Sequence, residues 1–175
     1  ANVALDAAVL AVCRALGEER PPDVVRVGPP ALDEVRDARV SSRDRALERR
    51  PDLARRLADL HRELRRAGEE QKGAQGGRSR EIARELREIR QELGEIERDI
   101  IADAPLLFAT LAKTALTPEI YAQRFDAAIV DEASMAYPPQ VLFASSLADW
   151  RLAVFGDFRQ LPPVVVSQDP DVLRL

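Results

Sequence analysis

At 175 residues and 46% hydrophobic content, the chain is long enough to bury one core and to carry an appendage. Its 26 basic and 30 acidic residues leave it mildly acidic, which excludes a global basic field as the means of drawing in nucleic acid but not a local groove. A single cysteine, Cys13, excludes an internal disulfide and a cysteine-built metal site; no signal peptide or membrane-length apolar run is visible, which favours the cytoplasm.

Asn2 is placed to cap a helix whose apolar positions Leu5, Val9, Val12 and Leu16 recur at spacings of four, three and four, with Gly17 as its stop. Cys13 packs on that helix as a small apolar residue. Val24 to Val27 then reads as a buried strand ending at Gly28-Pro29-Pro30.

From Ala31 to Ile101 the composition shifts to nearly balanced charge with almost no aromatic residue. Pro51 suits the first turn of a helix and Asp52 the positive end of its dipole. Leu53, Leu57, Leu60 and Leu64 follow at heptad-like spacing. Gly68 to Ser79 reads as a loop, and Ser79 as the cap of a second helix bearing Ile82, Leu86, Ile89, Leu93, Ile96 and Ile100. Two apolar stripes joined by a short polar segment predict an antiparallel helical hairpin, a coiled coil. The plain reading is a solvated coiled coil, with His61 on its surface. The sharper one has the basic cluster Arg49, Arg50, Arg55, Arg56, Arg62, Arg65 and Arg66 touching a phosphate backbone. Acids interleaved at helical spacing would consume part of that charge.

Leu106 to Leu111 reads as a return to the sheet, with the Thr110 hydroxyl free either to satisfy a turn or to meet a ligand. Tyr121 to Arg124 leads into Ala127–Val130, an apolar run suited to a strand buried on both faces of a parallel sheet. It ends in Asp131 and Glu132. Ligands of open α/β sheets sit beyond the carboxyl ends of the strands. There an Asp can help hold the Mg²⁺ that bridges nucleotide phosphates, and a following Glu can orient or deprotonate the attacking water. Pro138-Pro139 opens a helix expected to run through Leu147 and to be closed by Trp150. Leu152 to Phe155 is a second apolar run, ending at Gly156-Asp157 and followed by Arg159, Gln160 and a Leu-Pro-Pro stop. Two parallel strands with a helix between them describe a βαβ unit. Trp150 and Phe155 are expected in its core.

These residues resemble the superfamily 1 helicases, most of all the B branch of Upf- and senataxin-like enzymes with an AAA-type helicase domain. Asp131-Glu132-Ala133-Ser134 is similar to their motif II (Walker B), and Gly156-Asp157-Phe158-Arg159-Gln160-Leu161-Pro162-Pro163 to their motif III. Asn2-Val3-Ala4-Leu5-Asp6 resembles the end of motif Ia, and Thr110 falls where motif Ic would lie. The resemblance implies an α/β fold: a partial RecA-like P-loop NTPase parallel sheet with an inserted antiparallel helical hairpin. Residues 1–30 would be the first part of the core, 31–104 the prong-like insertion, and 105–175 the second part with motifs II and III. It implies ATP and Mg²⁺ as cofactors, with Asp131 on the metal and Glu132 activating water. Gln160 would sense the γ-phosphate, with Asp157 and Arg159 supporting that loop. Asn2 and Thr110 would contact a single nucleic-acid strand, DNA favoured over RNA, along which the parent enzyme would step 5′ to 3′.

No Gly-x-x-x-x-Gly-Lys-Ser/Thr occurs in the sequence. The chain is therefore expected to be an internal piece of the first RecA-like domain, inactive without its P-loop segment and second motor domain. Two rivals stand beside this reading. One is another coiled-coil ATPase, to which the Gln160-Leu161-Pro162-Pro163 string is foreign. The other is an interaction module in which the hairpin docks a partner on a non-catalytic P-loop-like scaffold.

Overall fold

The computed structural model describes residues 2–18, 21–70, 76–157 and 159, with 67–70 and 76–77 described for their backbone only. The chain divides into two compact units, Asn2–Phe108 and the residues from Ala109 onward. Both are α/β, and their strands pair in parallel.

In the first unit the order is α1 (Asn2–Ala15), β1 (Val24–Arg26), α2 (Asp33–Ala38), α3 (Ser42–Arg49), α4 (Pro51–Glu70), α5 (Gly76–Ala102) and β2 (Leu106–Phe108). β1 pairs with β2 in parallel, Val25 opposite Leu107, so four helices lie between two adjacent strands. A parallel neighbour requires such a long crossover. Val9 and Cys13 of α1 pack with Val24, Val35 and Val40 in one cluster. Cys13 is buried, and that burial raises its thiol pKa.

The second cluster joins Val25 and Ala46 to Leu60, Ile82, Leu86, Ile89, Leu93 and Ile100. The heptad positions of α4 and α5 thus meet as their spacing requires. Three cross-helix ion pairs, Arg50–Glu92, Arg56–Glu85 and Arg78–Glu63, step up one helix as they step down the other, so α4 and α5 run antiparallel. Both ends of the loop expected from Gly68 to Ser79 are helical. Helix α4 continues to Glu70 and α5 begins at Gly76, which puts Ser79 inside the helix rather than at its cap. Gly76 and Gly77 fall in the first turn, where the helical cost of glycine is small beside the packing that follows. The short helices α2 and α3 were not foreseen; the Ser41 hydroxyl caps α3 by accepting from the Asp44 backbone N–H.

One network ties α1 to β1. Arg26 is 1% exposed; its Nε donates to Asp6 Oδ1 at 3.0 Å, its Nη1 to the Val27 carbonyl at 3.1 Å, and its Nη2 to Asn2 Oδ1 at 3.1 Å. The other Asp6 oxygen accepts from the Ala31 and Leu32 N–H groups. A buried ion pair is tolerable only when its remaining valences are met in this way.

In the second unit the order is α6 (Leu111–Leu116), α7 (Pro118–Tyr121), β3 (Phe125–Val130), a 3₁₀ turn (Ala133–Met135), α8 (Pro138–Ser145) and β4 (Ala148–Val154). β3 and β4 pair in parallel from Phe125–Ala148 to Val130–Val154, with a register shift between Phe125 and Ala127. Helix α8 is their crossover and lies against them. Four expectations change here. Leu111 opens helix α6 rather than extending the strand before it. Helix α8 stops at Ser145, and Trp150 belongs to β4. Trp150 is 83% exposed and Phe155 57%, so neither is core. Finally, β3 is not buried on both faces: Ile129 is 75% exposed and only Val130 is buried. An apolar strand is buried twice only when layers cover both faces, and among the described residues of this unit Ile129 has no such layer over it.

Among the described residues no helix is long and apolar enough to cross a membrane.

Candidate functional site

The parallel pairing of β3 and β4 brings the two acidic turns side by side. The Phe155 N–H donates to the Val130 carbonyl at 2.8 Å, and the Ala133 N–H donates to the Phe155 carbonyl at 2.8 Å. The ladder thus continues past the strands into the loops that follow Val130 and Val154. Gly156 completes the approach. A Cβ there would lie 2.9 Å from the Ser134 backbone N and 3.5 Å from the Ser134 Cβ. Any side chain at position 156 would drive the two loops apart. The Ser134 Oγ is buried at this junction with no hydrogen-bond partner among the described residues.

Asp131 is the last residue before the turn and is exposed; its Oδ1 accepts from the Glu132 N–H at 2.9 Å. Glu132 is half-buried and adopts φ 57, ψ 34, the left-handed region that non-glycine residues rarely enter. Backbone held there costs on the order of 1–3 kcal/mol and gathers at functional sites. The 3₁₀ turn that follows, with the Met135 N–H donating to the Glu132 carbonyl at 3.0 Å, holds the strained residue in place. Asp157 is exposed and its Oδ1 accepts from the Arg159 N–H at 2.9 Å, closing the turn after Gly156. Gln160, together with Phe158 and Leu161–Pro163, lies outside the described residues.

The donor set suits a hard cation held jointly with phosphates. Mg²⁺ takes one or two carboxylates and leaves its other positions to water and phosphate oxygens. One exposed carboxylate at a strand end meets that requirement. No group of three or more acidic, histidine or cysteine ligands clusters among the described residues, so a closed all-protein metal cage is not what this site offers.

Thr110 and Asn2 both have structural roles. Thr110 is the N-cap of α6: its Oγ1 accepts from the Lys113 N–H at 3.3 Å, and its carbonyl accepts from the Thr114 N–H and hydroxyl. Asn2 lies within the first turn of α1 rather than capping it, with its Oδ1 committed to Arg26. Thr110 shares a unit with Asp131 and Glu132; Asn2 belongs to the other. Sequence reasoning missed the Asp6–Arg26 pair, although an arginine inside the run Val24-Val25-Arg26-Val27 signals a buried partner. It also missed the backbone contact at Gly156, for which the only signal was a glycine directly after a strand.

The family described as AAA domain matches residues 1–168, nearly the whole chain. No curated protein matches the sequence. The chain belongs to this AAA domain family, a domain of the superfamily 1, Upf- and senataxin-like helicases.

Proposed function

We propose that this chain is the part of a superfamily 1 helicase that carries the hydrolytic acids, in a protein that couples ATP hydrolysis to 5′-to-3′ movement along single-stranded DNA or RNA. The observation that carries this reading is Glu132, half-buried and held in left-handed backbone directly after β3, beside the Gly156–Asp157 turn of β4. Strain retained at the carboxyl end of a strand, with an acid on it, favours a positioned catalytic group over a solvated carboxylate.

Bound Mg²⁺–ATP would supply the phosphoanhydride and the neutralisation of its charge. Asp131 would hold the metal through its exposed carboxylate. Glu132 would orient the hydrolytic water and take its proton. Asp157 and Arg159 would shape the loop that presents Gln160 to the γ-phosphate. Close backbone contact at Gly156 would make the two loops move as one, so that a change at the phosphate is felt by both. Thr110 and Asn2 would meet the strand through whatever hydrogen-bonding capacity their structural roles leave, for Asn2 its amide NH₂. The α4–α5 pair would be the inserted helical hairpin, residues 31–104, between two parts of a RecA-like core, with a P-loop segment and a second RecA-like domain completing the motor in the cytoplasm.

The test is ATP hydrolysis by the intact protein, with and without single-stranded DNA or RNA, for wild type and Glu132→Gln. Strand-stimulated turnover that falls by roughly 100-fold or more in the variant is the expected result, given what a general base contributes. The better activator names the strand. Turnover indifferent to both strand and substitution would favour the interaction-module reading instead.

A further inference from the structure

Arg26 and Asp6 are the only charged side chains buried among the described residues. Their pair is satisfied, yet a buried ion pair adds little stability that apolar side chains of similar size would not. Its place in the fold says more than its depth. Arg26 ends β1, and beyond Asp6 and the Val27 carbonyl it reaches one further group, the side-chain oxygen of Asn2 in the first turn of α1.

A guanidinium has donors and no acceptor, so the group facing its Nη2 must be an acceptor. At Asn2 that group is the amide oxygen. The amide of an exposed asparagine turns about a broad torsion, and a half turn exchanges its oxygen and nitrogen. Here a half turn would set donor against donor and forfeit a charge-assisted hydrogen bond. Arg26 therefore decides which end of the amide points away from it. That end is the NH₂, on an exposed residue and without an acceptor among the described residues. Arg26 is not free to turn with it. Asp6 holds its Nε and the Val27 carbonyl its Nη1, while Asp6 is itself held by the Ala31 and Leu32 N–H groups.

We propose that Arg26 is a positioning residue for strand binding: anchored by Asp6, it fixes the Asn2 amide with its NH₂ outward and so presents a set donor to a backbone phosphate oxygen. This rests on the reading of Asn2 as a strand contact given above. A phosphodiester offers acceptors alone, so a donor of fixed polarity suits it at any sequence; base edges offer both kinds of group and would be met better by an amide free to turn. Arg26 itself is 1% exposed and its charge is matched by Asp6, so its effect on the strand passes through Asn2. Lysine would not replace it. A single ammonium on a flexible stem lacks the planar fork that meets Asp6, the Val27 carbonyl and Asn2 together.

The experiment measures binding of labelled oligo-dT and of the corresponding oligo-U to the nucleotide-free intact protein, by fluorescence anisotropy across a salt series. Wild type is compared with Asn2→Ala, Arg26→Lys, the double variant and Asn2→Asp, each checked for folding by circular dichroism. Asn2→Ala should weaken binding about 10-fold, the loss of a hydrogen bond to a charged group. Its log–log salt slope should match wild type, because no charge is removed. Arg26→Lys should cost about as much in the wild-type background but less than about 2-fold in the Asn2→Ala background, where there is no amide left to orient. An equal cost in both backgrounds would make Arg26 a structural residue and overturn the proposal, as would no cost in wild type. Asn2→Asp keeps an oxygen for Arg26 but has no donor to offer. It should melt no lower than wild type and bind more weakly than Asn2→Ala; binding equal to wild type would overturn the proposal even where Arg26→Lys does not fold. Asn2→Ala without effect sinks the reading of Asn2 as a strand contact and this proposal with it, whereas a weakened Asn2→Ala with an additive Arg26→Lys sinks the positioning role alone. Wild type that binds neither strand sinks the nucleic-acid reading as a whole.

Discussion

The paired helices α4 and α5 and the paired strands β3 and β4 are both built from apolar repeats, yet they treat those repeats in opposite ways. Leu60, Ile82 and Leu93 are almost wholly removed from water, each helix covering the other's seam with help from Val25 and Ala46. In the strands, Ile129, Trp150 and Leu152 stay largely exposed while Val130 is buried. A heptad stripe needs one partner helix, and here that partner lies a few residues away in sequence. An apolar strand needs its neighbours and two covering layers, which come from distant parts of a chain. Local apolar pattern therefore predicts burial well in the helices and only the need for burial in the strands.

The largest expected effect tests the closed side of this contrast. Leu93→Ala should destabilise the first unit by about 2–5 kcal/mol, since it deletes buried methyl groups from a packed seam that cannot easily collapse. Denaturant unfolding followed by helical circular dichroism measures it. A cost below about 1 kcal/mol would mean that the seam is loosely packed and that α4 and α5 do not share a core.

The open side predicts the reverse. Trp150→Ser should change stability by no more than about 0.5 kcal/mol if this face is as exposed in solution as its 83% accessibility indicates. The same melts, run on the intact protein, decide it. A loss of several kcal/mol would reveal that another layer covers β4 and would restore the two-faced burial that its apolar run suggests.

Much of the helical architecture was legible in the sequence because its signals are local. Pro51 and Asp52 open α4, and the leucine and isoleucine spacings fix both seams. Asp131, Glu132 and Asp157 lie in the turns after β3 and β4 because an apolar run ending in acids is itself a short-range pattern. What escaped depended on distance in sequence. The Asp6–Arg26 pair joins groups twenty positions apart, and the Gly156–Ser134 approach joins two loops. Trp150 was misplaced because a lone aromatic beside a strand normally packs, and here the covering layer is not supplied locally.

The smallest effect concerns the ion pairs that lock the helical register. At the first turn of α4, the Arg50 guanidinium meets Asp52 in a two-point contact, Nε to Oδ1 at 2.9 Å and Nη2 to Oδ2 at 2.7 Å, and also reaches Glu92 of α5. The hydrogen bonds from Arg50 hold the Asp52 carboxyl down at about 2, against an ordinary value of 3.8. Arg56 acts on Glu85 in the same direction. A carboxyl whose pKa is lower in the folded state contributes stability above its unfolded value and loses it as pH falls through the folded one. For Asp52 that window runs from about 4 down to about 2. Both partners are substantially exposed, so solvent screening keeps the contribution small, and added salt should shrink it further. Thermal melts of wild type and Asp52→Asn between pH 5 and pH 2 should therefore show a small advantage for wild type that fades below pH 4 and vanishes near pH 2. A gap that persists unchanged at pH 2 would place the role of Asp52 elsewhere, in the uncharged hydrogen bonding of the helix start rather than in its pairing with Arg50.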